Sequence, residues 1–410
     1  MTPRRVLYID LAPAPGGSVV SLWYLLRYLD RTRYEPVVLL AEGNPQVSRF
    51  YSLKVPVYTI ATQQGRGVSF GPRVDRVRQG RVGAWIRRHP RLAAIWHAGG
   101  SLGRWYRKFW PEAQRIREIM RTVRPDFVHL NAELVVNRPA VLATRLERLP
   151  ALCHVRGWEQ WELWDRWLAR SIRAFVCISQ AVSRCLIAQG LRDVPIYVVY
   201  NGVDMAEIPT VAEPALFQAL GLDPTRPRVG MFGRLTAWKG HRVFLHALAQ
   251  VVAVMPEVQA IVVGGEEVAD RGYMASLQAL AEKLGIAQHV RFTGHRSDVL
   301  RLYALVDVLV HASVRDEPFG RVIVEGMAAA RPVVATRGGG PLEIVRDGET
   351  GYLVPQGDAE AMAEAILRLL RDPEKARRMG EAGRAEVARR FQAQETARRI
   401  TAVYEAIFGG

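Results

Sequence analysis

Short apolar runs alternate with longer amphipathic stretches along almost the whole chain. In the first half they lie at residues 6–9, 37–41, 125–130, 151–155, 174–178 and 196–199. Short strands that alternate with helices of ten or more residues are typical of a mostly parallel sheet covered on both faces. The sequence therefore predicts an α/β fold with doubly wound sheets.

The same rhythm is more regular in the second half. Strands are predicted at Val229–Phe232, Ala260–Val263, Val290–Thr293, Val308–His311 and Pro332–Ala335, and helices at Val243–Met255 and Met274–Leu284. Prolines concentrate in the segment 203–224, which predicts a boundary there. We expect domains at 1–204 and 205–390, with residues 391–410 forming a helix that packs back on the first domain. Such a pair of domains binds ligands in the cleft between them.

Several classes of protein are disfavoured by composition. No apolar run approaches the ~18–20 residues of a membrane-spanning helix, and the first apolar run, Val6–Ile9, is too short for a signal peptide. The three cysteines, Cys153, Cys177 and Cys185, form no CxxC pair. We therefore expect a cytoplasmic protein with neither a disulfide framework nor a thiolate metal site.

Positive charge is concentrated in one stretch. The net charge is +16, and residues 66–124 contain 15 basic and 3 acidic residues. Such a segment attracts nucleic acid, an anionic membrane or phosphorylated substrates, unless it is only a solvated face in an arginine-rich protein. Tryptophans at 85, 96, 105 and 110 are interleaved with the charges. A second group, Trp158, Trp161, Trp164 and Trp167, would pack in the core on a helix or line an acceptor entrance.

The segment after strand Val308–His311 is the most informative. Phe319-Gly320 lies where a helix should begin, so Glu317 falls in the loop above the strand and Glu325 about one and a half turns into the helix. Free N–H groups at a helix start favour a phosphate, and carboxylates accept hydrogen bonds from hydroxyls. The alternative is a capping acid and a surface glutamate.

Two glycine-containing loops follow other strands of the second half. Gly233-Arg234 and Lys239-Gly240 come after Val229–Phe232, and the two cations would clamp a diphosphate and stabilise charge on a leaving phosphate. Gly338-Gly339-Gly340 follows Pro332–Ala335, where three glycines would let the backbone approach a ligand closely. A simple solvated loop is the alternative for each.

Taken in order, these motifs resemble those of glycosyltransferase family 4, the retaining GT-B enzymes. The resemblance extends over nearly the full chain and is clearest in the second half. It rests on Gly233-Arg234 with Lys239-Gly240, Val263-Gly264-Gly265, Phe292-Thr293-Gly294, the Glu-x7-Glu pattern from Glu317 to Glu325, Pro332–Thr336, and Asp347-Gly348 with Thr350-Gly351. The first half matches more loosely, at Gly16-Gly17-Ser18, Cys153-His154 and Tyr200–Asp204. The resemblance implies the GT-B architecture, in which two Rossmann-like domains face each other across a cleft.

The resemblance also implies roles for particular residues. Glu325 would hold the ribose hydroxyls of the donor nucleotide, and Glu317 a hydroxyl of the donor sugar. Arg234 and Lys239 would bind the diphosphate, and His154 would sit beside the transferred sugar. The remaining donor-site residues would be Gly16, Gly17, Gly233, Gly294, His295, Arg296, Phe319, Gly320, Arg321 and Val322. Many family members have an aspartate directly after the histidine, whereas this chain has His154-Val155-Arg156.

Missing motifs narrow the chemistry further. The chain has no Asp-x-Asp pair, no zinc-type His/Cys cluster, no GxGxxG after a strand and no GxxxxGK[ST] loop. We therefore expect neither a metal nor a cofactor, and a diphosphate leaving group stabilised by protein cations and a helix N-terminus.

The sequence thus predicts a retaining, metal-independent glycosyltransferase that uses a nucleoside-diphosphate sugar. A UDP-sugar is favoured, with GDP-mannose as the alternative, and the acceptor would be a glycan or a lipid-linked molecule of the cell envelope. We expect the basic stretch to dock on the inner face of the cell membrane and expect no nucleic acid partner. The alternatives are another GT-B enzyme, such as a nucleotide-sugar epimerase or a phosphorylase, and a polyanion-binding module.

Overall fold

Two separate parallel sheets organise the protein. The computed structural model describes residues 2–12, 16–62, 109–267 and 270–409, and within them the strands form one sheet of seven strands and one of six. All paired strands are parallel. The predicted fold class, two doubly wound α/β domains, is confirmed.

The first sheet is built from the first half of the chain. Its strands are β1 (Arg4–Asp10), β2 (Tyr34–Ala41), β3 (Val57–Ile60), β4 (Phe127–Leu130), β5 (Ala151–Val155), β6 (Ala174–Cys177) and β7 (Ile196–Val198). They lie in the order β3-β2-β1-β4-β5-β6-β7, so the strand order reverses between β1 and β4. A ligand crevice is expected at the carboxyl ends of these two strands.

The second sheet repeats the arrangement. Its strands are β8 (Arg228–Phe232), β9 (Gln259–Val263), β10 (Val290–Gly294), β11 (Val308–His311), β12 (Val333–Thr336) and β13 (Gly351–Val354). The order β10-β9-β8-β11-β12-β13 reverses between β8 and β11. The domain bounds stay a prediction, and the connection between the two sheets runs from Val198 to Arg228.

Helices cover both faces of each sheet. In the first half they are α1 (Gly17–Arg27), α2 (Val47–Ser52), α3 (Arg138–Leu146), α4 (Leu163–Ala169) and α5 (Gln180–Ala188), and residues 109–123 are also helical. In the second half they are α6 (Pro214–Leu220), α7 (His241–Val254), α8 (Tyr273–Lys283), α9 (Val299–Leu302), α10 (Arg321–Ala328), α11 (Pro341–Ile344), α12 (Ala359–Leu370), α13 (Pro373–Arg390) and α14 (Ala393–Phe408).

Two strands were not predicted, for different reasons. Strand β3 is an edge strand in which Tyr58 and Thr59 are exposed, so it lacks a continuous apolar run. Strand β13 begins at Gly351, and because glycine is typical of turns, the sequence does not indicate a strand start there. Every strand that was predicted is present, and its ends lie within three residues of the predicted ones.

Most of the basic segment 66–124 lies outside the described residues. This includes Trp85, Trp96 and Trp105. Trp110 is described and packs, partly buried, against the core. Arg117 and Arg121 on the same helical stretch both pair with Glu147.

Helix α14 returns to the first domain. Its residues Ile400, Val403 and Tyr404 are buried in a cluster with residues of β1, β2 and α1. The chain first crosses between the domains near Val203, and it enters α14 beside that crossing. There Val203 N donates to Phe391 O (2.9 Å) and Ala393 N donates to Val203 O (3.0 Å).

Candidate active site

A cavity of about 410 Å³ lies between the two domains, at the reversal points of both sheets. Eleven of the residues predicted for the site line it. They are Gly16, Gly17, Gly233, Arg234, Lys239, Glu317, Phe319, Gly320, Arg321, Val322 and Glu325. The structure therefore brings together residues that follow strands β1, β8 and β11, as expected where the carboxyl ends of parallel strands meet.

Glu317 is the most strongly bound carboxylate of the cavity. Its Oε2 accepts from Lys239 Nζ (2.6 Å), Ser313 Oγ (3.0 Å) and His311 Nε2 (3.1 Å). Burial alone would raise the pKa of Glu317, but Lys239 and His311 hold it well below its ordinary value. Glu317 is therefore ionised. Within the described part of the chain no group donates to Oε1, which leaves this oxygen available for a ligand hydroxyl.

The second carboxylate, Glu325, lies on α10 behind the helix start. Its Oε2 accepts from the hydroxyl of Tyr303 (2.7 Å) and its Oε1 from Arg321 Nη2 (2.8 Å). Burial and the neighbouring Glu325 raise the pKa of Tyr303 well above its ordinary value, so this tyrosine only donates to Glu325. Helix α10 begins at Arg321, directly after Phe319-Gly320 as predicted.

The two predicted diphosphate-binding cations are both paired with carboxylates. Lys239 is bound to Glu317, as described, and its ammonium also lies 4.2 Å from the centre of the Trp238 ring. Arg234 pairs with Glu267 and is more exposed. A bound diphosphate would therefore share these cations with carboxylates already in place.

His154 does not line the cavity. It is fully buried on β5, and its Nδ1 lies 3.2 Å from both His129 Nε2 and Arg156 Nη2. Arg156 itself lines the cavity, so His154 lies one hydrogen bond behind the wall. The contact with the transferred sugar stays a prediction.

Gly294, His295 and Arg296 also lie outside the cavity lining. They follow β10 next to the Gly264-Gly265 turn, where Gly264 N donates to Gly294 O (3.0 Å). Arg296 forms a paired contact with Asp298 (2.7 Å). Gly233 N in turn donates to Val263 O (2.9 Å), directly before this turn. The segment Gly294–Arg296 therefore adjoins the side of the cavity that Gly233 lines. Its contact with the nucleotide base stays a prediction.

Sequence reasoning missed several residues of the site. Arg156 and Glu133 line the cavity on the side of the first domain. Burial lowers the pKa of Arg156 to about 9 and raises the pKa of Glu133. Tyr303 and Ser313 bind the two glutamates from below. Two of these residues carry a sequence signal, because Ser313 ends the family-like segment that begins at Asp307-Val308 and Arg156 stands in the unusual His154-Val155-Arg156 run. Glu133 and Tyr303 belong to no recognisable spacing pattern.

Several polar contacts between described residues bridge the two walls of the cleft. Glu343 accepts from the backbone N–H groups of Gln180 and Ala181, both at 2.8 Å, at the start of α5. Ser179, which caps α5, donates to Pro318 O (2.7 Å). In addition, Arg321 Nη1 donates to Ser21 Oγ (2.9 Å) and Trp158 Nε1 donates to Asp316 O (2.9 Å).

The second tryptophan group does not share one helix, because α4 covers only Leu163–Ala169. Trp158 lies on the cleft rim and Trp161 packs partly buried against the core. Trp167 is half-exposed beneath Arg145.

Two kinds of feature are absent from the described residues. No group of three or more His, Cys, Asp or Glu side chains is placed to hold a metal ion. Within the same ranges no helix is long and apolar enough to cross a membrane.

The two parallel-sheet domains face each other, with a cavity at both reversal points and paired glutamates beside a helix start. This arrangement is that of the GT-B class of glycosyltransferases. Comparison with known proteins agrees and gives the family. The model for Glycosyltransferase Family 4 matches residues 15–207, and that for Glycosyl transferases group 1 matches residues 212–386. The chain belongs to glycosyltransferase family 4.

The relatives include an enzyme named for lipopolysaccharide core biosynthesis. The chain is 30% identical over 303 residues to the lipopolysaccharide core biosynthesis mannosyltransferase LpcC of Rhizobium leguminosarum bv. viciae, covering 73% of this chain and 81% of that protein. It is 39% identical over 168 residues to the putative glycosyltransferase EpsD of Bacillus subtilis (strain 168), covering 41% of this chain but only 42% of EpsD. The crystal structure of Anabaena HepE in complex with UDP and glucose matches with a TM-score of 0.77 and 26% identity, covering 98% of this chain and 100% of HepE.

Proposed function

We propose that this chain is a retaining glycosyltransferase that transfers a sugar from a UDP-sugar to a hydroxyl of a cell-envelope glycolipid or polysaccharide. The observation that supports this best is the Glu317–Lys239 pair beside the start of α10, with Glu325 one turn further along the helix. Together they offer a hydroxyl acceptor, a cation and free backbone N–H groups within one cavity. GDP-mannose is the alternative donor, and the name of LpcC keeps it open.

The proposed reaction requires no protein nucleophile. An acceptor hydroxyl oxygen forms a bond to the anomeric carbon on the face from which the diphosphate leaves, and the bond from that carbon to the diphosphate oxygen breaks. The leaving phosphate oxygen takes the proton of the attacking hydroxyl. Lys239, Arg234 and the N–H groups at the start of α10 would stabilise the negative charge that develops on the diphosphate.

The donor can be identified by thermal unfolding with UDP, GDP and ADP and their sugars. A ligand at about 100 times its dissociation constant stabilises the folded state by about 2.7 kcal/mol. We expect UDP and a UDP-sugar to raise the Tm of the wild-type protein, and Glu325→Gln to reduce the effect. Glu349→Gln is a matched control, since Glu349 is exposed and outside the cavity. If no nucleotide raises the Tm, the proposed donor site is wrong.

Stereochemistry and metal dependence need separate measurements. The proton NMR spectrum of the product should show the anomeric configuration of the donor, and an inverted product would contradict retention. We propose that transfer needs no metal, because protein cations and the helix N-terminus serve the diphosphate. Activity should survive EDTA, and a strict requirement for a divalent ion would contradict this.

We further propose that the basic segment 66–124 docks the enzyme on anionic lipid, where a lipid-linked acceptor would lie. Basic residues near such a surface contribute about 1 kcal/mol each, and tryptophan prefers the headgroup region. Binding to liposomes should require anionic lipid, weaken with salt, and fall when Arg87, Arg88, Arg104 and Arg107 are changed to Glu.

The control reverses four exposed arginines of the second domain, Arg271, Arg368, Arg371 and Arg378. It makes the same change in net charge, so equal loss of binding in both variants would assign the effect to total charge. Equal binding to neutral and anionic vesicles, or none to either, would contradict docking.

A further inference from the structure

A chain of hydrogen bonds runs from the last helix of the protein to the wall of the cleft. Tyr404 Oη on α14 lies 2.6 Å from His129 Nδ1, and His129 Nε2 lies 3.2 Å from His154 Nδ1. Arg156 Nη2 lies 3.2 Å from the same His154 nitrogen. Beyond Tyr404, the hydroxyl of Tyr8 is 3.1 Å away. Both tyrosines and both histidines are fully buried, so water does not compete for these bonds.

Arg156 fixes the direction of every bond in this chain. A guanidinium only donates, so His154 Nδ1 must present its lone pair, and the hydrogen of His154 is then on Nε2. His129 Nε2 faces the same lone pair and must donate, which leaves His129 Nδ1 as an acceptor. The single hydrogen of Tyr404 must then go to His129 Nδ1, and Tyr8 can take the donor role in the Tyr8–Tyr404 contact because either hydroxyl can donate.

The assignment requires that both imidazoles are neutral, and their surroundings make them so. Burial first, and then the charge of Arg156, lower the pKa of His129 and of His154 well below the ordinary value. His154 Nε2 is buried and has no partner within the described residues. Buried polar groups are nearly always paired, so this N–H is the donor that a ligand reaching His154 would meet.

We propose that Arg156 and Tyr404 are positioning residues that hold His154 as the Nε2–H tautomer, so that its free nitrogen presents a hydrogen-bond donor. The reverse direction would place a hydrogen on His154 Nδ1 against the Arg156 guanidinium and is excluded by that contact. The importance of the tautomer for transfer rests on the proposed function, in which His154 lies beside the sugar. Helix α14 thereby influences a site that it does not line.

The tautomer can be read directly, without substrate, in the full chain labelled with 15N-histidine. Two-dimensional 1H–15N spectra distinguish a protonated ring nitrogen from an unprotonated one, and His154→Gln assigns the signals. We expect His154 to show a protonated Nε2 and an unprotonated Nδ1 from about pH 5 to about pH 8, the range in which an ordinary histidine changes charge. A protonated Nδ1, or titration within this range, would overturn the proposal.

Two tyrosine variants distinguish the positioning of His154 from the general effect of losing a buried hydroxyl group. Tyr404→Phe removes the donor to His129, whereas Tyr8→Phe removes an equally buried hydroxyl and leaves the Tyr404–His129 bond in place. We expect Tyr404→Phe to give a second set of His129 and His154 signals and to lower kcat about tenfold with little change in donor KM. Tyr8→Phe should keep one set and the wild-type kcat. Identical spectra for the two variants would overturn the role of Tyr404.

Arg156 is tested by a variant and its rescue. Arg156→Met removes the donor to His154, and we expect both His154 tautomers and a His154 pKa closer to its ordinary value. Arg156→Lys again supplies a donor without an acceptor atom and should restore the Nε2–H form. An unchanged spectrum in Arg156→Met would overturn the role of Arg156. Because the spectra need no turnover, they decide this inference even if no donor is processed, which separates it from failure of the proposed function.

Discussion

Lys239 Nζ and Glu317 Oε2 lie 2.6 Å apart, although the two residues are 78 positions apart in the chain. Lys239 follows β8 and Glu317 follows β11, the neighbouring strands at which the order of the second sheet reverses. Their side chains are only 15% and 10% exposed. The contact is therefore a largely buried ion pair at the position where a donor diphosphate and sugar would meet.

Removing only the lysine should destabilise the protein as well as inactivate it. Breaking a buried pair leaves an uncompensated charge and typically costs about 3–5 kcal/mol. We expect Lys239→Met to lose stability of this order at pH 7, measured by urea denaturation. The double variant Lys239→Met/Glu317→Gln should recover most of the loss, because it leaves no buried charge.

The single variant Lys239→Met and the double variant should both lack transfer activity. The double variant would thus recover stability without recovering activity. Arg234→Met is the control for loss of a cavity cation, since Arg234 is 47% exposed and should cost little stability. If Lys239→Met is as stable as Arg234→Met, the buried pair does not hold this part of the fold.

Gly240 tests how tightly the Lys239 turn is held. It has φ +78°, and a Cβ there would lie 1.9 Å from the backbone oxygen of Ala312. Gly357 has φ +77° with nothing within 4 Å of its Cβ position. We expect Gly357→Ala to cost about 1–2 kcal/mol for the left-handed backbone alone and to keep activity. Gly240→Ala should cost more and reduce transfer, as measured by denaturation and a donor-turnover assay.

The two substitutions share the same backbone conformation, so their difference isolates the contact with Ala312. If the two variants lose equal stability and equal activity, the close approach of Gly240 to Ala312 does not contribute to function.

How far the sequence predicts this site depends on the kind of contact. Strand ends and helix starts are local features, and Glu317, Glu325 and the α10 start follow from apolar runs and Phe319-Gly320. Contacts between distant segments leave no local pattern. The Tyr303–Glu325 and Tyr404–His129 bonds are therefore visible only in three dimensions.

In the glycine loop the predicted close approach of the backbone is present, but the neighbour is another loop and not the cavity. Gly338-Gly339-Gly340 was expected to approach a ligand, and it does not line the cavity. Instead a Cβ at Gly339 would lie 2.2 Å from Glu317 O, and one at Gly340 would lie 2.2 Å from Phe319 O. These glycines allow two loops to pack together beneath the site. The sequence predicts a close approach but does not say to what.

Glu343 should control how the two domains meet. Its carboxylate accepts from Gln180 N and Ala181 N at the start of α5, so it spans the cleft with charge-assisted bonds. We expect Glu343→Ala to weaken the contact, to raise the donor KM several-fold and to leave each domain folded. Small-angle scattering should show a larger radius of gyration. Glu360→Ala, at an exposed position on α12, is the control. Unchanged scattering and KM would contradict this role.

Glu159 should make stability depend on pH near neutrality. Burial raises the pKa of Glu159 from 4.5 to about 8. Between these values the folded protein keeps a proton that the unfolded chain has lost, so stability falls as pH rises. One proton is worth about 1.4 kcal/mol per pH unit. Glu159→Gln cannot titrate, and its stability relative to wild type should therefore grow by on the order of 2–3 kcal/mol from pH 5 to pH 7, by denaturant titration at each pH. Glu257→Gln, at an exposed position, should follow the wild-type curve. Parallel curves for Glu159→Gln and wild type would show that Glu159 is ionised in the folded protein.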